Sequence, residues 1–473
     1  MHKNYRKIVY EALYEIIYNK QFCHIYINSL LNDKNIDTQD IKIIRRVVYG
    51  IIENKILIDY IINKYTKNKK IDKKISLVLS IGVYELLFLN NKKEYATINE
   101  CVELAKHLKG HFLSKFVNAI LNNINKNESI EQIYSDENIT DKIKYSIPDS
   151  LYDYLMTNLN VAKDEHSKIE NNKELVKNIF EYFINNNSIC LRINTKNENI
   201  INNINKEFDE LNIKYNIYDG DLILNNFKVY VVSNLVNLNN IKNFANGNIT
   251  VEDVASVYYM DKLFDIFKKY LDLKINNTNE NLFILDACSA PGGKTLALFE
   301  VLKYYMFDNN IDKDLIKFVC HDINSDKILK IDNNIKREIN EDYHKNIFVS
   351  VKDATIIDDN YIDKFDLVML DVPCSGLGSI AKKPDIKYNF DSMKIDELNH
   401  LQKKILDTNK NYVKIDGLLS YSTCTFNKKE NDDIVYDFLD KNDNFELLQI
   451  EQIIPNINNK SDGFFYSIFK RIK

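Results

Sequence analysis

From about residue 250 onward, short apolar runs alternate with helical stretches, and this alternation restricts the fold more than any other feature of the chain. Two runs, Leu282–Ala287 and Phe365–Asp371, are almost continuously apolar, as expected of strands buried on both faces of a parallel sheet. Four further strands are predicted at Phe318–Asp322, Ile347–Val351, Gly417–Ser422 and Phe464–Lys470. The pattern predicts a doubly wound, Rossmann-like α/β domain.

The N-terminal quarter has a different periodicity. Apolar residues in 4–125 recur at helical spacing, as at Ile43, Val47 and Ile51, which predicts an all-α module of five to seven helices. A polar stretch follows, and Pro148 marks the start of another helix. Between 150 and 245 the pattern is mixed, with strands predicted at Ser188–Asn194, Asp221–Leu224 and Val229–Val232. We therefore predict a multidomain chain with an all-α domain at 1–126, a small α+β linker domain at 145–245 and the α/β domain at 246–473.

Composition excludes several classes of protein. The chain has 473 residues and no apolar run of about 18, so we predict no membrane span. Glu11 and Glu15 interrupt the first apolar pattern, which is not that of a signal peptide. The seven cysteines are odd in number and none forms a Cys-x-x-Cys pair, which indicates reduced thiols in a cytoplasmic protein without a metal site.

Charge is distributed unevenly along the chain. Residues 1–126 carry 21 Lys and Arg against 12 Asp and Glu, a net of +9, and the remainder carries 42 against 56, a net of −14. The densest basic run, Lys64–Lys74, has six lysines in eleven positions and is either a solvated loop or part of a surface for a polyanion. A basic module on an acidic body indicates a local polyanion-binding face.

The string Asp286–Thr295, Asp-Ala-Cys-Ser-Ala-Pro-Gly-Gly-Lys-Thr, follows the first predicted strand of the α/β domain. Its small residues allow the backbone to approach a ligand closely, and ligands of such sheets bind beyond the carboxyl ends of the strands. The spacing is neither that of a dinucleotide-binding loop nor that of a Walker A loop, which disfavours dinucleotides and nucleoside triphosphates.

Two acids follow the next two strands. Asp322 could accept hydrogen bonds from ribose hydroxyls, or it could cap the helix that begins near Ile323. Asp353 could hold an adenine amino group, or it could stabilise a turn.

Two cysteines also follow predicted strands. Cys374 lies in the string Asp371–Gly378, and Cys424 lies in Tyr421–Thr425. Isolated cysteines are more often buried structural residues than nucleophiles. Two thiols at strand ends of one doubly wound sheet face one cleft, however, and such a polar site can support a thiolate nucleophile.

Together these strings resemble the Sun/RsmB family of S-adenosylmethionine-dependent RNA cytosine-C5 methyltransferases. Glu430-Asn431, Lys383–Tyr388 and Asp462–Tyr466 match further family motifs, and Arg192–Thr195 and Thr250–Asp253 resemble its upstream motifs, with Glu252 where the family usually has Gln. The N-terminal module resembles NusB-like RNA-binding domains in three strings, Ile81–Phe88, Ala96–Glu100 and Phe116–Leu121. A NusB-like domain fused to such a methyltransferase is similar to the RsmB arrangement.

The resemblance implies methylation of carbon 5 of a cytosine in 16S ribosomal RNA, with the target base outside any helical stack. It implies that Cys424 adds to carbon 6, that Cys374 removes the carbon 5 proton and releases the product, and that Asp371 binds the base. It also implies a set of residues that hold S-adenosylmethionine: Cys288, Ser289, Ala290, Pro291, Gly292, Gly293, Lys294, Asp322, Asp353 and Asp371. Lys294 either orients Asp371 or the cofactor, or has a structural role.

Two alternatives remain open on the sequence. The substrate could be another RNA or DNA cytosine, and DNA methyltransferases use the cysteine of the Pro-Cys string as nucleophile. The chain could also be a non-catalytic NusB-like ribosome-assembly factor.

Overall fold

The computed structural model describes residues 5–31, 36–89, 94–159, 165–186, 188–233, 238–275 and 281–473. The chain divides into two compact units. The first, here called the helical unit, comprises Met1–Thr157, Val161–Ile184 and Ile380–Asp391. The second, here called the α/β unit, comprises Asn158–Asn160, Asn185–Ser379 and Ser392–Lys473. Within the described ranges, no helix combines the length and the apolarity that crossing a membrane requires.

The helical unit confirms the all-α prediction for the N-terminal region. Its helices are Tyr5–Tyr18, Cys23–Leu31, Thr38–Glu53, Lys55–Thr66, Lys73–Leu87, Glu94–Lys109, His111–Asn127, Ile130–Ser135, Asp141–Lys144, Asp149–Asn158, Glu165–Asn185 and the short Ile386–Asn389. The apolar spacing identified in the sequence forms the core, where Val47, Val48 and Ile51 are fully buried. Helix Asp149–Asn158 begins directly after Pro148, as predicted.

An ion pair inside the helical core was not predicted from the sequence. The guanidinium of Arg6 lies 2.6 Å from the carboxylate of Glu85, and both side chains are almost fully buried. The hydroxyls of Tyr5 and Thr97 donate to the same carboxylate at 2.7 and 3.1 Å, so both of its oxygens accept hydrogen bonds. A buried pair needs such additional bonds to offset desolvation, and the side chains that supply them are far apart in the sequence.

The α/β unit begins with a four-stranded antiparallel sheet. Its strands are β1 (Ile189–Ile193), β2 (Tyr215–Ile217), β3 (Lys228–Val232) and β4 (Ile249–Val251), in the order β2-β3-β1-β4. The strand predicted at Asp221–Leu224 is wrong, because that segment has no ladder partner among the described residues. Its neighbourhood is organised by side chains instead: Tyr218 accepts from Leu222 N, and Asp261 accepts from Asn225 N.

The large sheet confirms the predicted doubly wound architecture. Its strands are β5 (Leu282–Asp286), β6 (Ile316–Asp322), β7 (Ile347–Val351), β8 (Phe365–Asp371), β9 (Val413–Thr423), β10 (Phe445–Ile453) and β11 (Phe464–Arg471). The order is β10-β11-β9-β8-β5-β6-β7. Strands β5 to β9 pair in parallel, and β11 runs antiparallel to both of its neighbours, β9 and β10. The strand order reverses at β5, which is where ligands bind in such sheets.

Helices cover both faces of the large sheet. The helices of the α/β unit are Glu198–Glu210, Lys242–Ala245, Val254–Ile275, Gly293–Asp308, Ser325–Glu338, Ser392–Asn409 and Asp432–Lys441. Alternate strand residues point to opposite layers: Ile284 packs in the cluster with Leu296 and Leu298, whereas Leu285 packs in the cluster with Ile405. Burial on both sides explains the continuous apolar runs of the central strands.

Candidate active site at the strand ends

The two cysteines singled out by the sequence are in contact. Strands β8 and β9 pair in parallel with Asp371 opposite Ser422, so the loops that follow both strands leave the same edge of the sheet. Cys374 Sγ and Cys424 Sγ lie 3.1 Å apart in these loops, and both residues are partly exposed. A pair of thiols at one sheet edge is therefore available to one reactant.

Backbone bonds hold the Cys374 and Cys424 loops against each other. Gly378 N donates to Cys424 O at 3.0 Å, and Gly463 N donates to Gly378 O at 3.0 Å. The second bond requires two glycines, because a Cβ on Gly378 would stand 2.0 Å from Gly463 O. The Asp462–Tyr466 motif thus closes the site from β11.

A buried carboxylate supports the same loops, and its role was not assigned from the sequence. Glu430 is fully buried and accepts from Ser375 N at 2.9 Å, from Gln402 Nε2 at 3.0 Å and from Asn427 Nδ2 at 2.5 Å. The only signal in the sequence was its place in the Glu430-Asn431 string. Gln402, which also donates to Pro373 O at 2.9 Å, had no signal at all.

The thiol of Cys374 is hydrogen-bonded to that of Cys424. Its hydrogen bond with Cys424 raises the pKa of Cys374, and burial raises it further. Burial also raises the pKa of Cys288 and Cys320, the other thiols near this edge of the sheet. The 3.1 Å contact therefore allows a proton to be shared between Cys374 and Cys424.

Lys294 and Asp371 form an ion pair beside the thiols. Lys294 Nζ donates to Asp371 Oδ2 at 2.5 Å, and Ser422 Oγ donates to the other oxygen at 3.1 Å. Burial alone would lower the pKa of Lys294, but the adjacent carboxylate of Asp371 outweighs it and the pKa is raised. Asp371 remains about one-third exposed, so it can still accept a bond from a reactant.

The loop Cys288–Gly293 turns tightly between β5 and the next helix. Gly292 has φ +101°, a conformation that other residues rarely adopt, and it caps helix Gly293–Asp308. Ser289 N donates to His321 O at 2.8 Å, which ties the loop to β6. Below it, burial raises the pKa of Asp286 to about 7, and no described side chain donates to its Oδ1.

The two strand-end acids differ in their surroundings. Asp322 is 6% exposed and accepts from Asn324 N at 3.1 Å, but the residue that caps helix Ser325–Glu338 is Asn324, not Asp322. Asp353 accepts from both the backbone N and the hydroxyl of Thr355, at 2.8 and 2.7 Å. Asp353 therefore stabilises a turn, which was one of its two predicted roles. Asp322 does not have the predicted role of helix cap.

A pocket lies beside Asp353, beyond the ends of β5 and β6. Its lining is Ala287, His321, Lys352, Asp353, Ala354, Ile356, Tyr361, Asn409 and Tyr412. His321 stacks on Tyr361 with ring centroids 5.6 Å apart, and burial lowers the pKa of His321 to about 4. The His321 side chain that lines the pocket is therefore uncharged at pH 7. The lining mixes small apolar, aromatic and polar groups.

The upstream motifs meet across the small sheet. Arg192 opposes Thr250 in the β1–β4 ladder, and Arg192 Nε donates to Glu252 Oε2 at 2.7 Å. Glu252 in turn lies near the glycine loop, since a Cβ on Gly293 would stand 3.6 Å from Glu252 Oε1. Asp253 accepts from Asp462 N at 2.9 Å. These motifs support the site from the side of the small sheet.

Comparisons with known proteins match both parts of the chain. Residues 273–470 match the family model "16S rRNA methyltransferase RsmB/F", and residues 3–126 match the NusB family. The chain is 25% identical over 457 residues to the probable ribosomal RNA small subunit methyltransferase B of Bacillus subtilis (strain 168), covering 95% of this chain and 91% of the relative. It is 26% identical over 413 residues to the ribosomal RNA small subunit methyltransferase B of Shewanella oneidensis, covering 83% of this chain and 81% of the relative.

Solved structures share the fold. The crystal structure of PH0851 matches with a TM-score of 0.69 at 19% identity, covering all of both chains. The structure of NSun6 from Pyrococcus horikoshii with SFG matches with a TM-score of 0.50 at 17% identity, covering 69% of this chain and 98% of that one. At these identities the likeness concerns the fold.

Proposed function

Because residues 273–470 belong to the RsmB/F family of 16S rRNA methyltransferases and residues 3–126 to the NusB family, we propose that the protein methylates carbon 5 of a cytosine in small-subunit ribosomal RNA. The methyl donor is S-adenosylmethionine, as follows from the methyltransferase family. The observation that carries the choice of carbon 5 is the contact between Cys374 and Cys424, 3.1 Å apart beside Asp371. Transfer to a nitrogen or oxygen would use no thiol, let alone two.

The reaction needs a nucleophile because carbon 5 of cytosine does not attack a methyl group on its own. Cys424 first gives its thiol proton to water. Its thiolate then adds to carbon 6, so the ring loses its conjugation and carbon 5 becomes nucleophilic. A hydrogen bond from the Cys374 thiol can stabilise a thiolate on Cys424, and this contact supports Cys424 as the nucleophile. After methyl transfer, Cys374 passes its own proton to water and takes up the carbon 5 proton. The carbon 6–sulfur bond then breaks and Cys424 leaves as a thiolate.

Asp371 orients the cytosine. Its carboxylate can accept a hydrogen bond from the exocyclic amino group, at the Watson–Crick edge of the base. Lys294 and Ser422 hold the two carboxylate oxygens from the protein side, so the carboxylate direction is set before the base arrives. This bonding supports the orienting role of Lys294 over a purely structural one.

The residues present fit S-adenosylmethionine. In the loop Cys288–Lys294, Gly292 has no Cβ, so a ligand can come close to the backbone. The buried Asp286 has an oxygen to which no described side chain donates. Asp322 lies at the end of β6 and does not cap the next helix, because Asn324 does. When bound, S-adenosylmethionine supplies an electrophilic methyl group on a sulfonium. Asp322 would hold the ribose, and Asp353 with the pocket next to it would hold the adenine.

Ribosomal RNA is the proposed partner of the N-terminal domain, which we place at 1–126, with the small domain at 145–245 and the catalytic domain at 246–473. Its net charge of +9 favours a polyanion. The loop between helices Lys55–Thr66 and Lys73–Leu87 exposes Lys67, Lys69 and Lys70.

Bisulfite sequencing tests the proposal. A deletion strain should lose one 5-methylcytosine in 16S rRNA, and the gene should restore it. Complementation with Cys424→Ala should not restore it, whereas Cys190→Ala, a buried thiol in β1, should. An unchanged 16S pattern in the deletion strain would refute the assignment to this RNA.

A further inference from the structure

One segment of the chain lies in a different unit from its sequence neighbours. Ile380–Asp391 belongs to the helical unit, although Ser379 before it and Ser392 after it belong to the α/β unit. Tyr388 packs against the core of the helical unit, and the ring of Phe390 lies 5.0 Å from that of Tyr154. The segment includes the Lys383–Tyr388 string, to which no role has been given above.

A carboxylate of the segment meets the start of a helix. Asp385 is 2% exposed, and its Oδ2 accepts from the backbone N of Cys23 at 3.3 Å. Helix Cys23–Leu31 begins at that residue. A negative charge is stabilised at this end of a helix, where backbone N–H groups lack partners within the helix.

A lysine two positions later meets the end of another helix. Lys387 is 2% exposed, and its Nζ donates to Glu53 O at 2.8 Å and to Tyr145 O at 3.5 Å. Helix Thr38–Glu53 ends at that glutamate, where a positive charge is favoured. Charged side chains are rarely buried so fully. Here the negative side chain lies at the start of one helix and the positive side chain at the end of another, where each charge is favoured.

These contacts lie close in sequence to a proposed catalytic thiol. Asp385 comes eleven positions after Cys374, and the intervening loop is tied to the α/β unit through Ser375 N and Gly378 N. We propose that Asp385 and Lys387 are positioning residues, which anchor Ile380–Asp391 to the helical unit and thereby set where the preceding loop holds Cys374. The inference rests on the proposed function for the role of Cys374, but the anchoring can be measured without any reaction.

The test uses the full-length protein with Lys387→Met, Asp385→Asn and Lys387→Arg. Lys394→Met is the matched control, because Lys394 is exposed in the helix that follows the segment. Deuterium uptake of peptides covering 374–379 is measured without RNA, and calorimetry gives the affinity for S-adenosylmethionine. Turnover and covalent complex are measured with a 16S rRNA fragment.

Lys387→Met and Asp385→Asn should increase uptake at 374–379 and lower kcat at least tenfold, with affinity for S-adenosylmethionine within twofold of wild type. Covalent protein–RNA complex should accumulate, because Cys374 is displaced from its releasing position. Lys387→Arg should restore most of the turnover, and Lys394→Met should change nothing. If Lys387→Met unfolds at the assay temperature, the near-isosteric Asp385→Asn variant is used for the same measurements.

A folded Lys387→Met protein with wild-type uptake at 374–379 would overturn the inference, whatever its turnover. An inactive wild-type protein would instead refute the proposed function, and the uptake comparison would still decide the anchoring. The two failures are therefore distinguishable.

Discussion

Two thiols 3.1 Å apart can share one proton, and their surroundings decide which thiol gives it up. The hydrogen bond and burial raise the pKa of Cys374, and the nucleophile we propose is Cys424. The sequence predicted that both thiols stand at strand ends. It could not predict their contact, because that depends on the pairing of Asp371 with Ser422 between β8 and β9.

Cys424→Ala and Cys374→Ala should fail in different ways. Without Cys424 no bond to carbon 6 forms, so neither product nor adduct is expected. Without Cys374 the bond forms but the product is not released, so a covalent protein–RNA complex should accumulate and migrate slowly on a denaturing gel. An adduct with Cys424→Ala but not with Cys374→Ala would reverse the two roles and favour the chemistry of DNA methyltransferases.

Asp322→Ala should weaken S-adenosylmethionine binding about tenfold or more, because a charged acceptor for ribose hydroxyls contributes roughly 1.5–3 kcal/mol. Calorimetry on the purified protein measures this directly. Asn324→Ala is the matched control, since it removes the actual cap of helix Ser325–Glu338 and leaves Asp322 in place. Equal losses of affinity in both variants would mean that the helix start, not the carboxylate, holds the ligand.

His321 should make the stability of the fold depend on pH. Its pKa is lowered from its usual 6.5 to about 4 in the folded protein, first by burial and then by Lys352. The unfolded chain therefore binds the proton first, and stability should be lost as pH falls from about 6.5 to 4, by about 3 kcal/mol at most. Urea unfolding should show a smaller loss over this range in His321→Gln than in wild type; identical slopes would contradict the neutral buried state.

At the scale of secondary structure, strands were predicted correctly where the apolar pattern alone identifies them. Strands β5 and β8 are buried on both faces, so their apolar runs alone identify them. Strand β10 was missed because it lies at the sheet edge and mixes Gln449 and Glu451 with half-buried apolar residues. Asp221–Leu224 has strand-like residues, but Tyr218 and Asp261 capture backbone groups in and beside it.

The contact between Gly378 and Gly463 joins two elements of the site and can be tested alone. Gly378→Ala places a Cβ 2.0 Å from a backbone oxygen, which cannot move aside as a side chain end could. We expect a loss of about 1–3 kcal/mol in the free energy of unfolding and a displaced Cys374 loop with reduced turnover. Ser379→Ala is the control next to it, and wild-type stability and turnover in Gly378→Ala would show that β11 does not constrain the loop.

At the scale of the whole molecule, the basic region and the proposed catalytic residues lie in different parts of the sequence. The acidic majority of the chain carries the proposed methyl-transfer site, and the basic N-terminal region carries +9. Deleting residues 1–126 would be a poor test of RNA binding, because it would strip the helices that meet Asp385 and Lys387. Substitutions on the exposed loop avoid that damage.

Replacing Lys67, Lys69 and Lys70 together by Gln should weaken binding of a 16S rRNA fragment and flatten its salt dependence. Each lysine that no longer neutralises a phosphate lowers the slope of log affinity against log salt by about 0.7–0.9, so the triple variant should lower it by about 2–3. Affinity for S-adenosylmethionine should not change, because the proposed cofactor residues all lie in the α/β unit. The matched control replaces Lys206, Lys268 and Lys269, three lysines of the α/β unit, by Gln, which changes the net charge equally. If both triple variants show the same reduction in affinity and slope, RNA responds to overall charge; if only the loop variant does, the N-terminal domain holds the RNA.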